Sequence, residues 1–547
     1  MATAAPIRAR RPELPALGVE LWRLAPVGAA LLMSAVYLII APKTGDLAAH
    51  VFRSNLFGRE GFTVWNGDWY GGHHTPAYSM LFPPFAWLLG PVVAGAIAAV
   101  ACAALFEPLV HNHFGRGARW GALWFGVATA TMLFNGRLPF ALGAAIALAS
   151  LLALQRGRGL LAILLALLSP LGSPVAGLFL ALAAFSLALA QQEWPPSARS
   201  LRRSAVPLAV AVAGILPTLV LVFAFPEGGT EPYSFGAFFP VLIIVAGFIA
   251  FCPRRERALV AGALLYGAMA VAAYVISTPL GGNISRLGAA FAAPLVICLA
   301  ASRLHRVPRA LLALMLAGLA YWQVIPSVRD LSHTHMGPSR YSSYYHPLLE
   351  FLEDHDEPPG RVEVMFTNTY WESADVAIHY PIARGWERQL DVGRNSLFYD
   401  GTLNARTYRH WLGVNAVRYV AVPDAALDYS AKQEERLVNG GLPYLKPVWR
   451  SPHWRVYEVT SPHPFVIPHG GARIDPVSMS SDQVKFLVRR PGRALVRVRW
   501  TPYWIANGAC VQNADGWTDI RASRPGPLRL RIDFSPARVF EHGPRCA

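Results

Sequence analysis

The chain has 547 residues, of which 54% are hydrophobic and 15% charged. Soluble domains carry about a quarter charged residues, so an ordinary soluble protein and a largely disordered chain are both excluded. The net charge is 49 − 33 = +16, but the first 325 residues contain a single lysine, Lys43, and their arginines sit in small clusters between apolar runs. That spacing orients a membrane protein and does not track a phosphate backbone, so no nucleic-acid partner is expected.

In chain order, a tail over 1–20 reads as cytoplasmic and disordered. Apolar runs follow at 22–41, 84–106, 119–134, 138–154, 159–171, 174–190, 205–225, 237–252, 259–277, 287–302 and 310–325. A helix needs about 20 such residues to cross a bilayer, and these runs predict about eleven spans within 21–325. The segment 159–171 is short and ends in Ser169-Pro170-Leu171-Gly172-Ser173-Pro174, which predicts a break or a re-entrant turn. With a cytoplasmic N-terminus the inside segments hold seventeen arginines from Arg8 to Arg309. The outside segments hold only Lys43, Arg53, Arg59, Arg137 and Arg286. This bias supports the alternation and puts the part after residue 325 outside.

From 326 the composition changes. Arg361–Phe366 and Val417–Val422 read as strands with a helix at 402–413 between them, predicting an α/β domain over 326–460. Over 461–547, Val484–Val488, Ala494–Trp500 and Leu528–Phe534 alternate apolar and basic residues with period two, which predicts a β-sandwich-like module. Cys102, Cys252 and Cys298 lie in apolar runs as small hydrophobes. Cys510 and Cys546 lie in the polar part and can pair if it is exported.

The long first outside loop, 42–83, gathers the chemistry. It carries Asp46, His50, Trp65, Asp68, Tyr70, His73, His74 and Tyr78. Loops of that length in a compact protein are usually functional. Asp46 follows the first span directly, where a carboxylate is costly unless used or paired. It reads equally as the cap of a helix starting at Leu47 and as a chemical group; both roles are compatible. Asp46 and His50 share a helical face. Asp68, His73 and His74 bring oxygen and imidazole donors into one loop but lack tight ligand spacing.

Two further outside hairpins carry Asn135-Gly136-Arg137 and Asn283-Ile284-Ser285-Arg286. An arginine at that depth suits a phosphate, bound through two parallel hydrogen bonds, or else snorkels to headgroups. In the C-terminal part, Trp371-Glu372 and Arg384-Gly385-Trp386-Glu387-Arg388 suit either sugar stacking or a structural ion-pair network.

An acidic residue just after the first span (Gly45-Asp46), a long first outside loop, a many-span bundle and an outside C-terminal region together resemble the GT-C superfamily of membrane glycosyltransferases. The C-terminal half also looks like that of bacterial membrane proteins of the YfhO type. The resemblance implies a polytopic α-helical enzyme of a bacterial inner membrane, with an extracytoplasmic α/β plus β-sandwich-like region. Such an enzyme takes a sugar from a polyprenyl-phosphate-linked donor and passes it to a cell-envelope glycan or lipid acceptor. It maps the general base onto Asp46, with Asp68 as the nearest second carboxylate, and the donor-phosphate contacts onto Arg286, Arg137 and Asn283. Substrate contacts are expected from His50, Trp65, Tyr70, His73, His74, Tyr78 and Trp386. Some members of the superfamily use a divalent ion such as Mg or Mn and others use none, so the metal is left open. A transporter or flippase of lipid-linked precursors, and a non-catalytic envelope assembly protein, are the competing readings.

Overall fold

A computed structural model describes residues 17–193, 195, 197–303, 308–334, 337–355, 359–540 and 545–546; the tail expected to be disordered lies mostly outside them. The N-terminal region is helical: α1 (Leu17–Ile40), α2 (Gly45–Glu60), α3 (Phe82–Leu89), α4 (Pro91–Phe114), α5 (Arg119–Phe134), α6 (Leu138–Gln155), α7 (Gly159–Gly172), α8 (Pro174–Ala190), α9 (Ala198–Ala224), α10 (Phe235–Phe251), α11 (Arg257–Val275), α12 (Ser285–Arg303) and α13 (Arg309–Thr334). Each apolar interval of the sequence falls on one of these helices except 84–106, which is split at Gly90 between α3 and α4. Among the described residues, seven stretches are long and apolar enough to cross a membrane, one of them running through α4 and α5; α7, α8 and α10 are apolar but shorter. Small residues let the helices close up. Gly143 lies against the backbone of Gly172, and Gly177 against that of Gly214, where any side chain would force the backbones apart.

The break expected within Ser169–Pro174 falls at Ser173, and the helix expected from Leu47 forms. The segment 159–171 is a continuous helix that runs through Pro170 and breaks only at Ser173, whose extended backbone turns the chain into α8. The turn is plugged by the first loop: Met80 and Leu81 donate their amides to the Leu171 carbonyl at 2.9 and 3.0 Å. That first loop is not open chain. It holds the 16-residue α2 and a two-stranded hairpin, β1 (Trp65–Asn66) and β2 (His73–His74).

The α/β part has a four-stranded sheet of β3 (Arg361–Val364), β4 (Val417–Pro423), β5 (Leu445–Arg450) and β6 (Trp454–Val459), in the order β3-β4-β6-β5. β3 and β4 are parallel and the other pairs antiparallel. Two further antiparallel sheets, one of five strands and one of four, form a sandwich over Val466–Cys546. Its core collects Val484, Phe486, Val496, Val511, Ile520 and Leu530, the inward residues of the alternating pattern. Cys510 stands in register with Cys546 and is disulfide-bonded, while Cys102, Cys252 and Cys298 are free and buried.

The first loop joins these parts. Its hairpin inserts between the two C-terminal units: Ile382 donates its amide to the Asp68 carbonyl at 2.9 Å, Gly67 to that of Ser481 at 2.6 Å, and Arg499 to that of Gly71 at 2.7 Å. One hydrophobic core therefore runs from Tyr37 through Phe52 and Trp69 to Trp371 and Trp454.

Candidate functional site

Asp46 lies in the first turn of α2, where the aligned peptide dipoles favour a negative charge. Thr44, at the N-cap, makes no side-chain cap, and its buried hydroxyl has no partner among the described residues. The hairpin between α5 and α6 closes over this helix end. Gly136 adopts a positive φ of 67°, and a Cβ placed there would meet Thr44 Oγ1 at 2.6 Å and the Asp46 Cβ at 2.7 Å. Only glycine brings the hairpin that near the carboxylate. His50 Nε2 donates to the Gly136 carbonyl at 2.9 Å and locks the contact.

This approach brings Arg137 to Asp46, and α12 brings Arg286. Burial pushes the Asp46 carboxyl above its usual range; Arg286 and Arg137 pull it back down without cancelling the shift. Burial lowers Arg137 to about 10, helped by Arg286, while Asp46 and Asp330 act in the opposite direction. Asp46 is partly exposed as a residue, while its carboxyl group lies deep enough for burial to dominate its pKa. The Arg286 guanidinium stands 5.8 Å from the centre of the Phe140 ring. Asn283 lies in the 3-10 turn Gly281–Ile284 leading into α12.

Sequence reasoning missed two groups of this cluster, Asp330 and Glu231, and placed Arg388 only in a segment suited to sugar stacking or an ion-pair network. Asp330 lies near the end of α13. Glu231 lies in the segment joining α9 to α10; burial pushes its carboxyl up to about 7 against Arg286 and Arg388, and Asp46 adds to the rise. Its backbone packs against Gly281 in the turn leading into α12, and its amide donates to the Thr278 carbonyl at 3.0 Å. Arg388 comes from the α/β domain. It donates to Tyr399 Oη at 2.7 Å, pairs with Asp428 at 3.1 Å and hydrogen-bonds Tyr370, whose ring packs on Gly45. Tyr429, 60% exposed, lies 4.8 Å from the Arg388 guanidinium. The site is thus a junction between the helical bundle and the C-terminal region.

The remaining sequence candidates divide. Tyr78 belongs to the cluster: Asp46 and Arg286 both act on its hydroxyl, Arg53 lies 4.0 Å over its ring, and Trp386 meets it edge-on at 5.7 Å. His50 is a tether rather than an open ligand; burial and Arg53 lower it to about 3, so its ring is neutral and the Nε2 proton goes to the carbonyl. Asp68 lies elsewhere. Its carboxylate pairs with Arg59 at 3.3 Å, and burial, with Glu60 and Asp482 nearby, raises it to about 7.

Trp65, Tyr70, His73 and His74 are buried docking groups. Trp65 packs edge-on against Trp504 in the sandwich core. Tyr70 donates to the Glu387 carbonyl at 2.9 Å, and His73 stacks on Trp69. His74 contacts Thr501 at 2.9 Å and Glu227 at 2.7 Å. Loop polarity alone does not separate such interface groups from ligands. Among the described residues, no group of three or more His, Cys, Asp or Glu is placed to hold a metal ion.

Beneath Arg286 a cavity of about 730 Å3 opens within the bundle. Phe140, Leu287 and Gly288 line it at the Asp46 end, and its walls follow α8 from Ala176 to Gln191, about 22 Å at 1.5 Å per residue. The lining is overwhelmingly apolar, with Glu256, His113 and Arg203 toward the far end.

No protein-family model matches the chain, and no curated protein matches it. Two solved structures are similar in outline. The apo oligosaccharyltransferase of Archaeoglobus fulgidus aligns over 95% of this chain and 95% of its own length, at 11% identity and a TM-score of 0.48. The archaeal oligosaccharyltransferase AglB from Archaeoglobus fulgidus, in complex with an inhibitory peptide and a dolichol-phosphate, aligns over 75% of this chain and 70% of its own, at 12% identity and a TM-score of 0.40.

Proposed function

We propose that this chain is a GT-C-type membrane glycosyltransferase of a bacterial inner membrane, moving a sugar from a polyprenyl-phosphate-linked donor to a cell-envelope glycan or lipid on the outer side. The observation that carries this reading is the electrostatic convergence of one carboxylate, Asp46, with two guanidinium groups, Arg137 and Arg286, the latter beside Phe140, which lines one end of a long apolar cavity. An isoprenoid tail suits the cavity, and its phosphate then falls to the arginines, which can each bind it through two hydrogen bonds. The Cys510 disulfide supports an extracytoplasmic C-terminal region, since such bonds persist in oxidising compartments.

In the proposed step an acceptor hydroxyl attacks the anomeric carbon. The new C–O bond forms as the bond to the phosphate oxygen breaks, and its electron pair leaves with the phosphate. Asp46 takes the hydroxyl proton, and Arg137 and Arg286 stabilise the charge gathering on the leaving group. A direct displacement inverts the anomeric centre. Tyr429, exposed beside Arg388, offers a ring face for a sugar.

The donor set around Asp46 interleaves carboxylates with guanidinium groups, a poor fit to a divalent ion, so the phosphate charge is assigned to Arg137 and Arg286. Asp68 is retained only as a more distant carboxylate, held by Arg59.

The test is transfer of labelled sugar from a polyprenyl-phosphate donor by purified protein in liposomes, comparing wild type with Arg286→Ala. Loss of transfer with weakened donor binding supports the assignment; unchanged kinetics contradict it. The carrier reading draws on the same cavity, because it reaches most of the way along the bundle. It predicts donor movement between leaflets that survives Asp46→Asn.

A further inference from the structure

At the end of the bundle opposite Asp46, a cleft of about 350 Å3 opens between the start of α1, the last turns of α4 and the turn into α5. Its walls include Trp22, Arg23, Pro26, Glu107, Arg116 and Arg119. Arg23 spends its charge on Glu107, with Nε at 3.0 Å and Nη2 at 3.2 Å from the two carboxylate oxygens. Arg119 lies 5.8 Å from the Trp22 ring centre and 5.4 Å from that of Trp120. Stacking of that kind holds a guanidinium in place and leaves its edge N–H groups available. Arg116 stands exposed at the turn. Three arginines against one glutamate leave 3 − 1, or two, positive charges in the cleft. The Trp22 indole N–H is buried there with no acceptor among the described residues, which supplies a neutral donor beside the charged ones.

The flank of the cleft decides between an anion from solution and one from the membrane. Leu21 and Leu24 on α1 are 64% and 61% exposed, and Trp120 on α5 is 49% exposed. They form a greasy strip that leads from the cleft along the outside of the bundle. A free phosphate gains nothing from that strip, whereas an acyl chain buries it. Arginines that merely orient a membrane protein need neither a cavity nor a stacking tryptophan. Basic pockets between helices on the positively charged side of a membrane protein are suited to phosphate headgroups.

We propose that this cleft binds the phosphate headgroup of an anionic membrane lipid in the leaflet opposite the Asp46 site. The headgroup sits between Arg116 and Arg119, with the Trp22 N–H as a further donor and the acyl chains along Leu21 and Leu24. Bound there, the lipid ties α1 to the α4–α5 turn and braces the helix whose other end delivers Asp46.

The test uses the full chain in neutral detergent, with mixed micelles containing phosphatidylglycerol, the same micelles with phosphatidylcholine, or inorganic phosphate at equal phosphate concentration. Phosphatidylglycerol is expected to raise the unfolding midpoint by a few degrees, and the other two to leave it unchanged. In the Arg116→Ala/Arg119→Ala variant, phosphatidylglycerol binding should weaken about thirtyfold and the midpoint shift disappear. The Arg199→Ala/Arg202→Ala control removes the same charge from exposed positions at the start of α9 and should keep the shift. An equal response to phosphatidylcholine, or a shift retained by the cleft variant or lost in the control, overturns the proposal. A shift of the same size with inorganic phosphate overturns the lipid assignment and makes the cleft a site for a soluble anion. If the double variant does not fold, Arg116→Gln alone, at an exposed turn, must show a partial loss for the proposal to stand.

Discussion

His50 Nε2 and the carbonyl oxygen of Gly136 are 2.9 Å apart, and this one hydrogen bond ties α2 to the α5–α6 hairpin. A charged imidazole is disfavoured there by burial and by Arg53, so the ring stays neutral and directs its single N–H at the carbonyl. On one side of the bond stands Asp46, a turn earlier on α2. On the other stands Arg137, next to Gly136 in sequence. The pairing of base and phosphate-binding cation in the proposed mechanism therefore depends on the hydrogen bond between a neutral histidine and the carbonyl of a glycine.

Gly136→Ala is the sharpest probe of that dependence. The added methyl group would meet Thr44 and Asp46 at under 3 Å, at a backbone φ that L residues rarely adopt. Displacing the carboxylate by about 1 Å is expected to cost on the order of a hundredfold in transfer rate, with stability reduced by roughly 1–2 kcal/mol. A variant that unfolds at nearly the wild-type temperature but transfers sugar at the wild-type rate would show that the approach of the hairpin is unimportant.

Asp46→Asn keeps the shape of the side chain and removes its basicity. Transfer should fall by about 10²–10⁴-fold, while donor binding, measured with a fluorescent polyprenyl phosphate, is retained or tightened by loss of the negative charge. If the asparagine variant stays active, the proton has another acceptor and the proposed mechanism fails.

The pH profile follows from the sign of the Asp46 shift. Burial raises its pKa and the active form is the carboxylate, so activity should climb with pH along a limb centred above the usual carboxylate range. Arg137 stabilises that carboxylate. Arg137→Gln should therefore move the limb to still higher pH, as well as weaken donor binding. A limb that moves downward in the variant contradicts the assignment of Asp46 as base.

Glu227 fastens the segment between α9 and α10 to the C-terminal region, with Arg394 at 2.5 Å and His74 at 2.7 Å. Burial alone would raise its pKa; Arg394, His74 and His73 outweigh burial and hold it at about 2. A depressed carboxylate contributes stability that is complete above its unfolded value, near 4.5, and is lost as pH falls toward 2. Glu227→Ala leaves the partly exposed Arg394 without its carboxylate and should cost roughly 1–3 kcal/mol at pH 7. In denaturant melts the gap between variant and wild type should close between pH 4.5 and 2. A gap that is constant with pH would mean that packing, not charge, does the fastening.

The one-dimensional pattern carried the helices well. Hydropathy depends on neighbours along the chain, and a membrane helix satisfies its own backbone, so runs such as 138–154 and 287–302 are visible without any knowledge of partners. Period-two alternation did the same for strands such as Val484–Val488. Asp46, Arg137 and Arg286 were also legible as isolated charges at the edges of apolar runs, since such charges are rare there.

Which charges meet could not be read that way. Asp46 is separated from Arg286 by 240 positions, and nothing along the chain marks Glu231 and Asp330 as neighbours of Asp46 until helix packing brings them there. The same limit applies to the loop: Trp65, Tyr70, His73 and His74 have the composition of a ligand site, and only the fold shows that they are buried between modules. Element type follows from local backbone chemistry and the solvent each face must meet. Whether a polar side chain ends in an interface or in a cleft depends on which distant surface covers it, and that is a property of packing in three dimensions.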